Sequence, residues 1–392
     1  MQKILSVTLY FFLLIPFLLQ AQNYQKLHNK AIVIDTHNDF PSAAIERKVG
    51  FDGDLTGKTH SDLARAKEGG LDGQLFSIWC GPEQQNPYAW ANREIDSVYE
   101  WCRRNPEKML MVYNPADLKK ALREKKFAAM LGMEGGHMIE DKIENLDKLF
   151  ARGVRYMTLT WNNSTSWATS AKDETEKKDS LPHKGLTDFG KQIVKRMNEL
   201  GMMVDISHVG EQTFWDAVNT SIKPVIASHS GVYNLCPHRR NLKDDQIKAI
   251  GKNGGVIHIN FYPGFLDSTY EKKLITFLAL HQTEMDSLTK TGTQPDYAAM
   301  IVAQNHPDEV NKFRPPFSLI LDHMDYIVKL IGVDHVGLGS DFDGIEVTPL
   351  GLEGVKDFPL ITKALLERGY SGKDIKKILG GNFIRVFKQN SL

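Results

Sequence analysis

Short apolar runs bounded by turn residues recur eight times along this chain, and most are followed by a stretch of helical periodicity. They cover residues 31–39, 70–80, 127–134, 154–160, 202–208, 224–229, 255–261 and 335–341. Continuously apolar strands that alternate with helices imply a parallel sheet covered on both faces. Eight of them predict closure into an α/β fold, a (β/α)8 TIM-type barrel forming a single domain over residues 22–392. Phe189, Ile193, Met197 and Leu200 recur at helical spacing while Lys191, Lys195 and Arg196 take the other side, which predicts a covering helix over residues 188–200. Residues 144–151 read the same way.

Two regions exceed a minimal barrel. Residues 171–184 are polar and charged, and residues 263–316 form a long insertion after the seventh strand. Segments that follow barrel strands lie on the active-site face, so both are expected to wall or cover a pocket. The charge run 172–179 by itself reads first as a solvated loop.

The runs do not end as purely structural strands would. The first ends in His37 and Asp39, the third in Glu134, the fifth in Asp205 and His208, the sixth in His229, and the eighth in Asp341 and Asp343. His37 and Asp39 are two apart, so on a strand they point the same way. Each histidine alone reads as a structural residue. Five strand ends out of eight carrying such groups, converging at one barrel mouth, read as a site for a borderline metal such as zinc.

The 392 residues carry 48 basic and 48 acidic side chains, which removes the electrostatic argument for nucleic acid or an anionic membrane as partner. Lys3, the apolar block 5–19 and the small Ala21 predict a signal peptide over residues 1–21. The mature protein is then exported, periplasmic or secreted, without a stable membrane anchor; an uncleaved anchor is the alternative, for which the block is short. Cys80, Cys102 and Cys236 are too few for a disulfide framework or a cysteine-based zinc site, and leave one disulfide of unassigned pairing open.

Ile34 through Asp39, Gly132-Met133-Glu134-Gly135, Val204 through His208, Ala227 through Ser230, Arg239-Arg240-Asn241 and Gly339 through Gly344 together resemble the membrane dipeptidase (renal dipeptidase) family of amidohydrolase-like barrels. The resemblance runs from about Ala31 to about Phe387. It implies a dipeptide substrate, sometimes with a C-terminal D-residue, two Zn2+ ions per chain and a homodimer. By motif, His37 and Asp39 hold one ion, His208 and His229 the other, and Glu134 bridges them; a hydroxide shared by the ions is the nucleophile. Asp341 is implied as the proton carrier, Arg240 as the partner of the substrate carboxylate and Tyr262 as a substrate contact, while Arg239 reads as structural.

One departure stands out. Where better-known members carry a histidine after the fourth strand, this chain has Trp161 followed by Asn162. An indole donates one hydrogen bond but cannot carry a positive charge or shuttle a proton. Oxyanion support then passes to Asn162, to another histidine or to the ions alone. A deacylase acting on N-acyl-D-amino acids, or a metal-binding barrel with little catalysis, are the competing readings.

Overall fold

The computed structural model describes residues 24–392. The expected signal peptide lies outside them. Nine parallel strands are present among the described residues: β1 (Ile34–Asn38), β2 (Gly73–Trp79), β3 (Met109–Met111), β4 (Phe127–Glu134), β5 (Val154–Thr158), β6 (Met203–Asp205), β7 (Ile226–Ser230), β8 (Val256–Ile259) and β9 (Val336–Leu338). Eight of them close a barrel in the order β1, β2, β4, β5, β6, β7, β8, β9, with β9 returning to β1. The expected fold is therefore the observed one.

The ninth strand, β3, corrects the count of eight. It pairs with the first residues of β4, Met109 against Phe127, while β5 takes over the same edge of β4 from Leu131. Three residues between Lys108 and Val112 are too few to register as a strand by periodicity.

Two cores hold the barrel. The larger lies between strands and covering helices; in the helix Asp188–Leu200, Ile193, Val194 and Met197 are buried and Thr187 caps the start. The smaller fills the barrel's N-terminal end, where Ile34, Leu75, Met130, Met203, Ile226 and Val256 pack with Phe383 and Phe387. Those phenylalanines come from the last helix, Asn382–Asn390, which plugs that end. With one end filled, only the other is open to substrate.

The insertion after β8, the seventh strand of the barrel, is helical. It contains Tyr270–Leu280, Gln282–Lys290 and Pro295–Asn305, with a core of its own around Tyr270, Phe277 and Val302. The charged stretch after β5 is a short helix, Ala171–Glu176, and not a bare loop. No described helix is long and apolar enough to cross a membrane. All three cysteines are free thiols.

Candidate metal centre

His37, Asp39, Glu134, His208 and His229 meet at the open end of the barrel. Glu134 sits between them: its Oε2 lies 3.3 Å from His37 Nε2, and its Oε1 lies 2.8 Å from His208 Nε2 and 3.3 Å from His229 Nε2. His37 Nε2 is also 3.6 Å from Asp39 Oδ2 and 3.8 Å from Asp341 Oδ1. Each oxygen of one carboxylate thus faces a different group of ligand atoms.

The histidines are oriented from behind, each through Nδ1. His37 Nδ1 is 2.8 Å from the Tyr156 hydroxyl, which gives its own proton to the Thr36 carbonyl at 3.1 Å and so accepts from the imidazole. His229 Nδ1 is 2.7 Å from Ser228 Oγ, whose proton goes to Asp205 Oδ2 at 2.6 Å. His208 Nδ1 faces Asn162 Oδ1, an acceptor only, at 3.2 Å. All three therefore carry their proton on Nδ1 and turn the Nε2 lone pair inward, the arrangement that metal-ligating histidines adopt.

Tyr156 reaches His37 only because residue 132 on the neighbouring strand is glycine. A Cβ there would stand 2.0 Å from the phenol ring. Gly344 is required for a similar reason, since a Cβ would stand 2.0 Å from Asp39 Oδ2. Backbone strain is found here too: His208, Asp341 and Asp343 all have left-handed φ near +65° without being glycine. Such strain clusters where surrounding structure must aim a functional side chain. Asp35 secures the seam between β1 and the segment after β9, accepting from both the amide and the hydroxyl of Ser340.

The donor set fits divalent ions. His37 Nε2 and Asp39 Oδ1 are buried with no hydrogen-bond partner. His208 Nε2 and His229 Nε2 lie 3.0 Å apart with no proton to share, a repulsive contact that a cation between them would relieve. Burial and the Arg240 charge push His208 down to about 3, and burial with the His37 charge pushes His229 well below its ordinary value. Both are thus neutral, as ligands must be. For His37 burial opposes a charge, yet Tyr156, Glu134 and Asp39 outweigh it and raise its pKa, so the pocket favours positive charge at that point.

Asp341 leaves β9 with Oδ2 held by Asn260 Nδ2 at 2.8 Å and Oδ1 facing His37. Burial, reinforced by Asp39, raises its pKa. The cavity above measures about 210 Å3 and is lined by Trp79, Trp161, Asn162, Arg240, Tyr262, Tyr297 and Glu346, among others. That is below the roughly 300–1,000 Å3 of sites that take drug-sized ligands, and suits a molecule of few atoms. Arg240 is buried, with Nη2 donating to the His229 carbonyl at 3.2 Å and Nε without a partner. Trp161 meets Trp79 edge to face at 5.0 Å, forming an aromatic wall. Tyr262 packs edge-on against Phe265 at 4.9 Å. Arg239 faces Glu176 at 3.8 Å, outside the cavity.

Tyr156, Ser228, Asn260, Glu94 and Glu346 belong to the site yet were not singled out as site residues from sequence. An inward-facing tyrosine within an apolar strand is the only local cue, and it applies to Tyr156 alone. Glu94, on the helix Pro87–Arg104, accepts from Ser42 Oγ at 2.7 Å, the Trp79 amide at 2.7 Å and Trp90 Nε1 at 3.1 Å, bracing the tryptophan wall. Burial pushes its carboxyl up to about 8 from an ordinary 4.5. The folded state then holds a proton that the unfolded chain releases, so this group's stabilisation is complete below the lower value and is lost as pH rises to the upper one. Glu94→Gln is expected to gain in urea midpoint relative to wild type as pH goes from about 5 to about 8, with metal held constant.

Solved structures share this architecture. The probable dipeptidase PvdM of Pseudomonas aeruginosa is 25% identical with a TM-score of 0.76, the match covering 95% of this chain and 98% of that one. A metallo peptidase from Rhodobacter sphaeroides, liganded with a phosphinate mimic of the dipeptide L-Ala-D-Ala, has the same fold at 23% identity and a TM-score of 0.72, covering 92% and 99%. The family model described as membrane dipeptidase, peptidase family M19, matches residues 21–392, and with every described residue inside that match the chain belongs to the membrane dipeptidase family.

Proposed function

We propose that this chain is an exported dipeptidase that works with two zinc ions and accepts dipeptides whose C-terminal residue is D as well as L. The observation that carries the reading is the pair of ligand sets on opposite oxygens of Glu134, each histidine having its Nδ1 proton fixed from behind. His37 and Asp39 would hold one ion and His208 and His229 the other, with Glu134 reaching both. Two such ions make a water acidic near neutral pH and polarise the scissile carbonyl.

The remaining work falls to the chain's own groups. Asp341 takes a proton from the attacking water and delivers it to the departing amine; the Asn260 hydrogen bond fixes one carboxyl oxygen and leaves the other facing the ligands. Arg240 receives the substrate carboxylate, for which its unpartnered buried Nε supports the assignment. Glu346, with Oε2 unpartnered in the same cavity, receives the free amino group. Trp161 and Trp79 exclude water from one side. Asn162 orients His208 through its Oδ1.

Glu346 separates a dipeptidase from a deacylase, since an N-acyl substrate has no ammonium to bind. Arg240→Gln is expected to lower kcat/KM by about 10- to 150-fold, mostly through KM, on losing a charged hydrogen bond. Glu346→Gln should lower kcat/KM for free dipeptides by at least about 10-fold and spare their N-acetyl forms. If instead the N-acetyl compounds are the better substrates of the unmodified enzyme, the deacylase reading replaces this one. The L-Ala-D-Ala mimic bound in the Rhodobacter sphaeroides enzyme supports testing L,D substrates first. Export rests on the leader sequence, and N-terminal sequencing of protein from the native host should find a start near Gln22.

A further inference from the structure

The insertion carries two copies of one short pattern, His281-Gln282-Thr283-Glu284 and His306-Pro307-Asp308-Glu309. Each histidine stands immediately before a helix, Gln282–Lys290 and Pro307–Val310 respectively. The insertion folds so that the two patterns meet. Their imidazole rings face one another with centroids 3.8 Å apart, and Phe277 packs on the His281 ring at 4.7 Å.

We propose that His281, His306 and Glu309 bind one transition-metal ion of the zinc class, separate from the barrel centre, with Glu284 as a positioning residue. One ligand atom of each of the three residues lies within 4.8 Å of the other two. His281 Nε2 is 3.3 Å from Glu309 Oε2, and His306 Nδ1 is 3.7 Å from Glu309 Oε1. Ligands at zinc distances of about 2.0–2.2 Å in a tetrahedron are separated by about 3.3–3.6 Å, so small adjustments bring them onto one ion.

The tautomer is already chosen. His306 Nε2 lies 2.8 Å from Glu284 Oε2, and the other oxygen of Glu284 accepts from Asn305 Nδ2 at 2.6 Å. Glu284 therefore accepts a hydrogen bond from Nε2–H, and in the neutral imidazole Nδ1 is left with its lone pair toward Glu309. This is the carboxylate–histidine–metal relay seen behind metal ligands. A salt bridge to Glu309 would need only one of the two imidazoles. With three protein ligands, the fourth position falls to water on the exposed side of Glu309.

The site lies behind one wall of the catalytic pocket. His306 directly follows the helix Pro295–Asn305, whose Tyr297 and Met300 line the barrel cavity. An ion at that end ties this helix to Gln282–Lys290.

The test is an ion count on the full chain equilibrated against buffered free Zn2+, comparing wild type with His306→Ala and Glu309→Gln. Each variant is expected to bind one ion fewer than wild type, while dipeptide turnover stays within about twofold. The difference does not depend on how many ions the barrel holds. Glu284→Gln should keep the ion and weaken its affinity by about 10- to 100-fold. Glu309 is exposed, so its variant keeps the comparison open if His306→Ala does not fold. Equal ion counts in wild type and Glu309→Gln would overturn the proposal and leave the cluster an ion pair.

Discussion

Asp341→Asn is expected to lower kcat by about 10²–10⁴-fold while ion content stays at the wild-type value. The amide keeps the shape of the carboxyl and can still bond Asn260, whose Nδ2 now donates to Asp341 Oδ2. It cannot accept a proton from water or return one to an amine. The two measurements must be read together, because Asp341 Oδ1 also lies among the atoms of a possible ligand set with His37 and Asp39. Retained ions with lost turnover identify a proton carrier. Lost ions would make Asp341 a ligand and move the proton-transfer role elsewhere in the cavity.

The second large effect is expected at Glu134. Glu134→Gln should reduce bound barrel ions below two and depress turnover by about 10³-fold or more, since both the charge and one of the two facing oxygens are removed. Position explains the severity. His37 lies on one side of this carboxylate and His208 and His229 on the other; burial opposes its charge, yet the positive charge favoured at His37 holds it ionised. With an amide in place, one half of the site must be faced by an NH2 group, which repels a cation. A Glu134→Gln enzyme with two barrel ions and near-normal rate would show that the two halves are independent sites.

The residues proposed as ligands were legible in sequence for a physical reason. A metal needs particular side chains, and a parallel barrel needs them at strand ends, so His37, Asp39, Glu134, His208 and His229 stand where apolar runs stop. The groups behind them were not legible as a set. Tyr156, Ser228 and Asn260 are ordinary residues in their own strands or just beyond them, and their roles arise only when closure brings Tyr156 against His37 and Asn260 against Asp341. Gly132 looked like any glycine until the phenol it accommodates was in view. Strand β3 escaped because three residues carry too little periodicity. The insertion was visible as a length without a structure: its helices bury a small separate core, and the meeting of His281 with His306 spans 25 positions of sequence that no local pattern links. Trp161 was visible as a departure, and the structure gives it neighbours, Trp79 and His208, in place of a charge.

The most direct test of the account titrates metal-free protein with Zn2+ and follows amino-acid release from L-Ala-D-Ala and L-Ala-L-Ala, using Glu309→Gln so that the insertion cluster does not enter the count. The account predicts release that rises to a plateau at two equivalents of zinc per chain. A plateau at one equivalent, or no release at any loading, would contradict it.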